Sequence, residues 1–225
     1  KSAMEEQLAQ YDQPSEKLVR LYDTWAKGGA GVLVTGNVMV AESGKGSIND
    51  VVISDGRSLE MLKKWAKAGT QNDTLLIMQI NHAGKQSPVV VNKTPLAPSA
   101  VPLVGMDGFI NPPRELTADE INRLIQQFVQ TAKIAEQAGF SGVQIHAAHG
   151  YLISQFLSPH HNRLQDQWGG SLENRMRFLL ETYTAIRAAV GKDFLVGVKL
   201  NSADFQKGGF DESESVQVVQ KLSKM

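Results

Sequence analysis

Three side chains able to do chemistry stand close together in Val143-Gln-Ile-His-Ala-Ala-His-Gly-Tyr151: His146, His149 and Tyr151. Two imidazoles can donate hydrogen bonds to one polarised oxygen, and a phenol, with a reference pKa of about 10, can hold a proton beside it at neutral pH. Two histidines at this spacing could also ligate a metal, but no third ligand at a familiar spacing accompanies them. A histidine that follows a strand can equally be a satisfied structural group.

The elements around the cluster must place it. The apolar run Phe140 to Ile145 reads as a buried strand that ends directly in His146. Upstream, Thr117-Ala-Asp-Glu120 is a capping box, and Ile121, Leu124, Ile125, Phe128 and Ala132 form the inner stripe of a helix that ends at Gly139. Downstream, Ser171 opens a helix that runs to Gly191. Strand, helix and strand in this order imply a parallel sheet with helical crossovers.

The same alternation covers the whole chain. Residues 1–4 read as the end of a first strand, Pro14 to Lys27 as a helix, and Gly31 to Gly36 as a second strand. Val38 to Val52 reads as a hairpin-like excursion turning at Gly44 and Gly46. Ser58 is placed as the cap of a helix to Ala68, and Thr74 to Gln79 as a third strand. Asn81 to Glu115 is a long Pro- and Gly-rich segment of the kind usually tied to function. Phe194 to Leu200 gives a fifth strand, and Asp211-Glu-Ser-Glu214 caps a last helix. The predicted fold class is an α/β TIM (β/α)8 barrel, with this chain supplying about five βα units and the C-terminal units absent. A whole barrel typically needs about 250 residues. An open doubly wound sheet is disfavoured because no G-x-G-x-x-G turn follows a strand. The start at Lys1 and the stop at Met225 inside a helical pattern suggest an incomplete domain, 1–225.

In a barrel the strand C-termini share one rim, where chemistry sits. Lined up, they offer Met4, Gly36, Gln79, His146 and Lys199, with His149 and Tyr151 just beyond. A flat heterocycle suits that list. Gly36 lets a ring approach backbone, Gln79 matches an imide-like edge, and Lys199 supplies positive charge. Each residue also has an ordinary reading, as a strand end or a solvated side chain.

Bulk composition narrows the classes. Charge is balanced, 23 basic against 23 acidic residues, which argues against a general nucleic-acid binder. With no cysteine, thiolate nucleophiles and Cys-held clusters are excluded within this stretch. No apolar run reaches membrane-spanning length and no signal-peptide pattern opens the chain, so a cytoplasmic location is the default expectation.

Three stretches resemble the Old Yellow Enzyme family of FMN-dependent ene-reductases, also called NADH:flavin oxidoreductases. They are Gln79-Ile-Asn-His82-Ala-Gly84-Lys85, His146-Ala-Ala-His149-Gly-Tyr151 through Pro159, and Asn162-Arg163 through Asp166, Trp168-Gly169-Gly170 and Glu173-Asn174-Arg175 to Phe178. The likeness runs from residue 1 to 225. The resemblance implies FMN as cofactor, NADH or NADPH as reductant, and an enone- or enal-type small molecule as substrate. It places backbone of Ser2, Ala3 and Met4 against the flavin, Gly36 near the ring edge, Gln79 on the pyrimidine part and Lys199 near N1. It makes His146 and His149 the donors to the substrate carbonyl oxygen and Tyr151 the proton donor, with no metal. Three positions depart from the pattern: Ala3 where many relatives have Pro, Glu5 where many have Thr or Cys, and Lys199 where many have Arg. Asp166, Trp168, Gly169 and Gly170 are expected to shape a turn, Glu173, Asn174 and Arg175 to form a buried polar network, His82 to anchor a loop, and His160 and His161 to be loop or surface groups. Two other readings remain open: a non-catalytic flavin- or phosphate-ligand-binding barrel, and a metal-dependent hydrolase using His146 and His149. A homo-oligomer is also left open.

Overall fold

The computed structural model describes residues 1–225. Helix α1 (Glu16–Lys27) precedes β1 (Val32–Met39), β2 (Val51–Val52) and α2 (Leu59–Gly69). Then come β3 (Leu75–Asn81), the short β4 (Leu96–Ala97) and β5 (Arg114–Glu115), and the long α3 (Ala118–Ala138). Strand β6 (Gly142–Ala147) leads to α4 (Leu152–Leu157), α5 (Leu172–Arg175) and α6 (Arg177–Val190), and β7 (Leu195–Leu200) to α7 (Glu212–Leu222).

The main sheet has the order β2-β1-β3-β6-β7, all parallel. Lys1 extends it in the same sense. Its backbone nitrogen donates to Val32 O at 2.8 Å and its carbonyl accepts from Val34 N at 3.0 Å, although residues 1–4 form no regular strand. Alternation separates the two faces. Leu76, Met78, Ile80, Val143 and Ile145 are buried on the helix side and belong to one core of 42 residues, so the chain has a single core. The opposite face carries Asn37, Gln79 and Gln144 side by side in register, then His146 beside Lys199. Edge-on aromatic pairs, Tyr22–Trp65 at 5.3 Å and Trp65–Phe140 at 5.5 Å, lock α1 and α2 to the start of β6.

Several sequence expectations are corrected. The β1 strand does not end at Gly36; an irregularity between Val34 and Asn37 carries it on to Met39. The excursion after it is no hairpin, because β2 pairs parallel to β1. Ser58 stands at the N-cap position of α2, but its hydroxyl makes no cap bond. A short 3-10 turn over Gly56–Ser58 precedes that helix, and Asp55 caps the turn by accepting from Arg57 N at 2.9 Å. The helix from Ser171 is broken at Met176 into α5 and α6. Helix α4, wholly buried, had no counterpart in the sequence reading.

The α3 expectation matches in detail. Thr117 and Glu120 form both bonds of the capping box, and Gly139 closes the helix at φ +91°.

Candidate functional site

The loop after β6 turns sharply at His149 (φ +60°) and Gly150 (φ +73°). It is fixed from two sides: His149 N donates to Asn201 Oδ1 at 3.0 Å, and Gln86 Nε2 donates to His149 O at 2.8 Å. Helix α4 then packs beneath it. Gln155 of that helix donates to Gly150 O at 2.7 Å and to Ala83 O at 3.3 Å, and Leu152 N donates to His82 O at 3.0 Å. The loops after β3 and β6 therefore share one support.

This support gathers the three rings. His146 and His149 stand with centroids 4.9 Å apart, His146 and Tyr151 4.9 Å apart at 90°, and His149 and Tyr151 6.5 Å apart. They line one hollow of about 130 Å³ together with Ala3, Met4, Glu5, Asn37, Gln79 and Lys199. Larger grooves lie elsewhere, of about 540 Å³ between α6 and α7 and about 600 Å³ between α3 and α6. They are walled by helix-surface side chains, and no buried donor or acceptor left without a partner lines either one. Convergent chemistry, rather than volume, selects the smaller hollow.

The electrostatics of the hollow follow from burial. His146 is 2% exposed, and burial, then the neighbouring His149 and Lys199, push its pKa down to about 3. Its Nδ1 accepts from Ala148 N at 3.2 Å, so in the neutral ring Nε2 carries the proton and is left as a donor. Burial and then Lys199 lower His149 too. Burial, then Glu5 and Asp50, raise the Tyr151 phenol and keep it protonated at neutral pH. Burial lowers Lys199.

Gln79 offers a test of fit for a flavin. Its Nε2 donates to Asn37 Oδ1 at 2.8 Å, while its Oε1 is buried with no partner. A buried acceptor in a cavity wall calls for an N–H donor on the ligand. An imide N–H beside carbonyl oxygens would satisfy it, and Lys199 would balance negative charge on such a ring. The donor set fits an isoalloxazine. At about 130 Å³ the hollow is smaller than the roughly 300–1,000 Å³ of enclosed ligand sites. It adjoins β7, the last strand in the sheet order.

Not every residue singled out in the sequence lies here. Ser2 and Gly36 do not line the hollow. The missing Cβ of Gly36 makes room for the chain's own N-terminal segment: it would collide with the Glu6 carboxylate and come within 2.7 Å of Met4 O. Gly36 N donates to Glu6 Oε1 at 2.9 Å, and Glu6 also accepts from buried Tyr22. Asn37 was missed because the strand was expected to stop one residue earlier. No group of three or more His, Asp or Glu side chains is arranged to hold a metal.

The remaining motif residues build the frame. Asn162 donates to Phe156 O at 2.9 Å and Trp168 O at 2.7 Å, and Asp166 accepts from Trp168 N at 2.8 Å. Glu173 is exposed and takes no part in a buried network. Instead, buried Arg175 pairs with Glu214 of α7 and donates to Leu157 O and Gly170 O. His82 is 1% exposed, held between Gly84 N and Ser43 Oγ. His161 is not a free surface group: its Nδ1 lies 2.8 Å from Nζ of buried Lys85.

Comparison with known proteins identifies the family. The model of the NADH:flavin oxidoreductase / NADH oxidase family matches residues 2–225. The NADH-dependent flavin oxidoreductase iliE of Hypocrea jecorina is 40% identical over 210 residues, covering 85% of this chain and 52% of that protein. The NADH oxidase of Thermoanaerobacter brockii is 37% identical over 211 residues, covering 92% of this chain and 31% of that protein. Thus the chain spans about half the length of the first of these relatives or less. Among solved structures, a 2-naphthoyl-CoA reductase in complex with 2-naphthoyl-CoA superposes with a TM-score of 0.92 at 31% identity, covering 98% of this chain and 35% of that one. An old yellow enzyme homologue from Zymomonas mobilis gives 0.89 at 30% identity, covering 99% and 65%. The fold is therefore part of a TIM-type barrel, as the strand and helix order implied.

Proposed function

The chain belongs to the NADH:flavin oxidoreductase / NADH oxidase family, and on that premise we propose that residues 1–225 form the FMN-holding part of an NAD(P)H-dependent oxidoreductase that reduces the C=C bond of α,β-unsaturated carbonyl compounds. The observation that carries this reading is the meeting of His146, His149 and Tyr151 in the same hollow as Gln79 and Lys199.

FMN, when bound, supplies the hydride chemistry between a nicotinamide and the substrate. Gln79 Oε1 would accept from its imide N–H, Lys199 would face the pole where negative charge gathers, and backbone of Ala3 and Met4 would bound it. His146 Nε2 and His149 would donate to the substrate's carbonyl oxygen. As neutral imidazoles held by the fold they need no reorganisation when charge grows there. Such a donor is typically worth about 3–4 kcal/mol of barrier. Tyr151, kept protonated by burial, would hold the proton destined for the α-carbon.

The full-length protein, loaded with FMN, tests the reading without air. NADH or NADPH should bleach the yellow absorbance, and 2-cyclohexenone should restore it. Colour that neither nicotinamide bleaches would favour a binder without turnover. Activity lost to a chelator, without a flavin spectrum, would favour the hydrolase reading.

A further inference from the structure

Glu5 lines the hollow, and none of the roles above uses it. Much of the residue is solvent-exposed, but its carboxyl is tucked against β1, where Oε1 accepts from Asn37 N at 2.8 Å. The ionisable groups around it come from four places. Lys1 and Glu6 lie on its own segment, Asp50 before β2, His146, His149 and Tyr151 at the end of β6, and Lys199 on β7. Most have partners of their own, and burial raises the Asp50 carboxyl as well. Glu6 is taken by Tyr22 and Gly36 N, with Lys1 Nζ 3.8 Å away. Asp50 accepts from Gly46 N, Ser47 N and Ser47 Oγ. Burial holds His146 neutral, lowers His149 from its ordinary value and keeps the phenol protonated. Among the residues that line the hollow itself, Lys199 and Glu5 are the ammonium and the carboxyl; Asp50 and Glu6 lie behind the wall and act on Glu5 from there.

We propose that Glu5 is a charge gate for this site: with its carboxyl protonated the hollow carries the net positive charge of Lys199 and accepts anionic ligands, and with the carboxyl ionised it turns them away. The switch lies in the working range. Burial raises the Glu5 pKa to about 7, with Asp50 and Glu6 adding to the rise and the Asn37 N–H opposing it. The proposal rests on this hollow being the ligand site inferred above, and it selects among ligands by charge.

Nitrate is a suitable probe. It is planar, matches the imidazole donors and stays singly negative across the range. Its affinity for the FMN-loaded full-length protein can be read from the flavin spectrum between pH 6 and 8. Affinity should fall roughly tenfold between pH 6 and 8, the most that one carboxyl titrating near 7 can impose over that range. Glu5→Gln keeps an acceptor for Asn37 N–H but cannot ionise, so its affinity should be flat. Infrared spectra of the protein without nitrate should show a protonated-carboxyl band that disappears near pH 7 and is missing from the variant. A flat wild-type profile, an equal fall in the variant, or no nitrate binding by either protein overturns the gate. Bleaching by NADH on the same samples reports the parent reading separately: bleaching with pH-independent nitrate binding sinks the gate alone, and no bleaching sinks the parent reading.

Discussion

At the scale of single residues, the site depends on histidines kept neutral by burial, and this has a cost in acid. The pKa of His82 lies at about 4 and that of His146 at about 3, both below the 6.5 of an unfolded chain. Between those values the unfolded chain binds protons that the fold does not. Their contribution is complete above pH 6.5 and lost as pH falls through the folded values. The slope is at most about 1.4 kcal/mol per pH unit for each. Glu5 acts with the opposite sign, since its raised pKa costs stability as pH climbs towards 7. His82→Gln should therefore shrink the drop in urea midpoint between pH 7 and pH 5; an undiminished drop would remove His82 from the account. Sequence alone revealed the residues with distinctive chemistry, His146, His149 and Tyr151, because types and spacing are visible there. It did not reveal Asn37, whose place depends on where β1 ends, nor the Lys85–His161 contact, which joins segments 76 residues apart.

At the scale of elements, capping chemistry was legible and breaks were not. Thr117 and Glu120 announce α3, and Thr117→Ala should cost about 1 kcal/mol by urea unfolding. A cost near zero would mean that tertiary packing alone holds the helix end. Gly139, at φ +91°, should resist Ala by a similar amount. The break at Met176 between α5 and α6 has no Gly or Pro to mark it. It lies beside Arg175, which is 5% exposed and must reach Leu157 O, Gly170 O and Glu214 at once. Arg175→Met should cost about 3–5 kcal/mol, because it leaves the Glu214 carboxylate and two carbonyls without their partner. Adding Glu214→Leu should recover part of that loss. If Arg175→Met costs under about 1 kcal/mol, the contact between the α5 region and α7 is not held by this pair.

At the scale of the whole molecule, strand–helix order implied a parallel sheet, and the absence of a glycine-rich turn after any strand set a barrel above the open doubly wound alternative. The pairing of β4 with β5 was not legible: each is only two residues long, set in a segment rich in turns. No helix is long and apolar enough to cross a membrane.

Tyr151 is the group that must hold the proton for the substrate. Stopped-flow absorbance can time the two half-reactions of the FMN-loaded full-length protein separately. Tyr151→Phe should leave flavin reduction by NADH near its wild-type rate and slow reoxidation by an enone by roughly 10²–10⁴-fold. Equal slowing of both halves, or no slowing of reoxidation, would contradict that role.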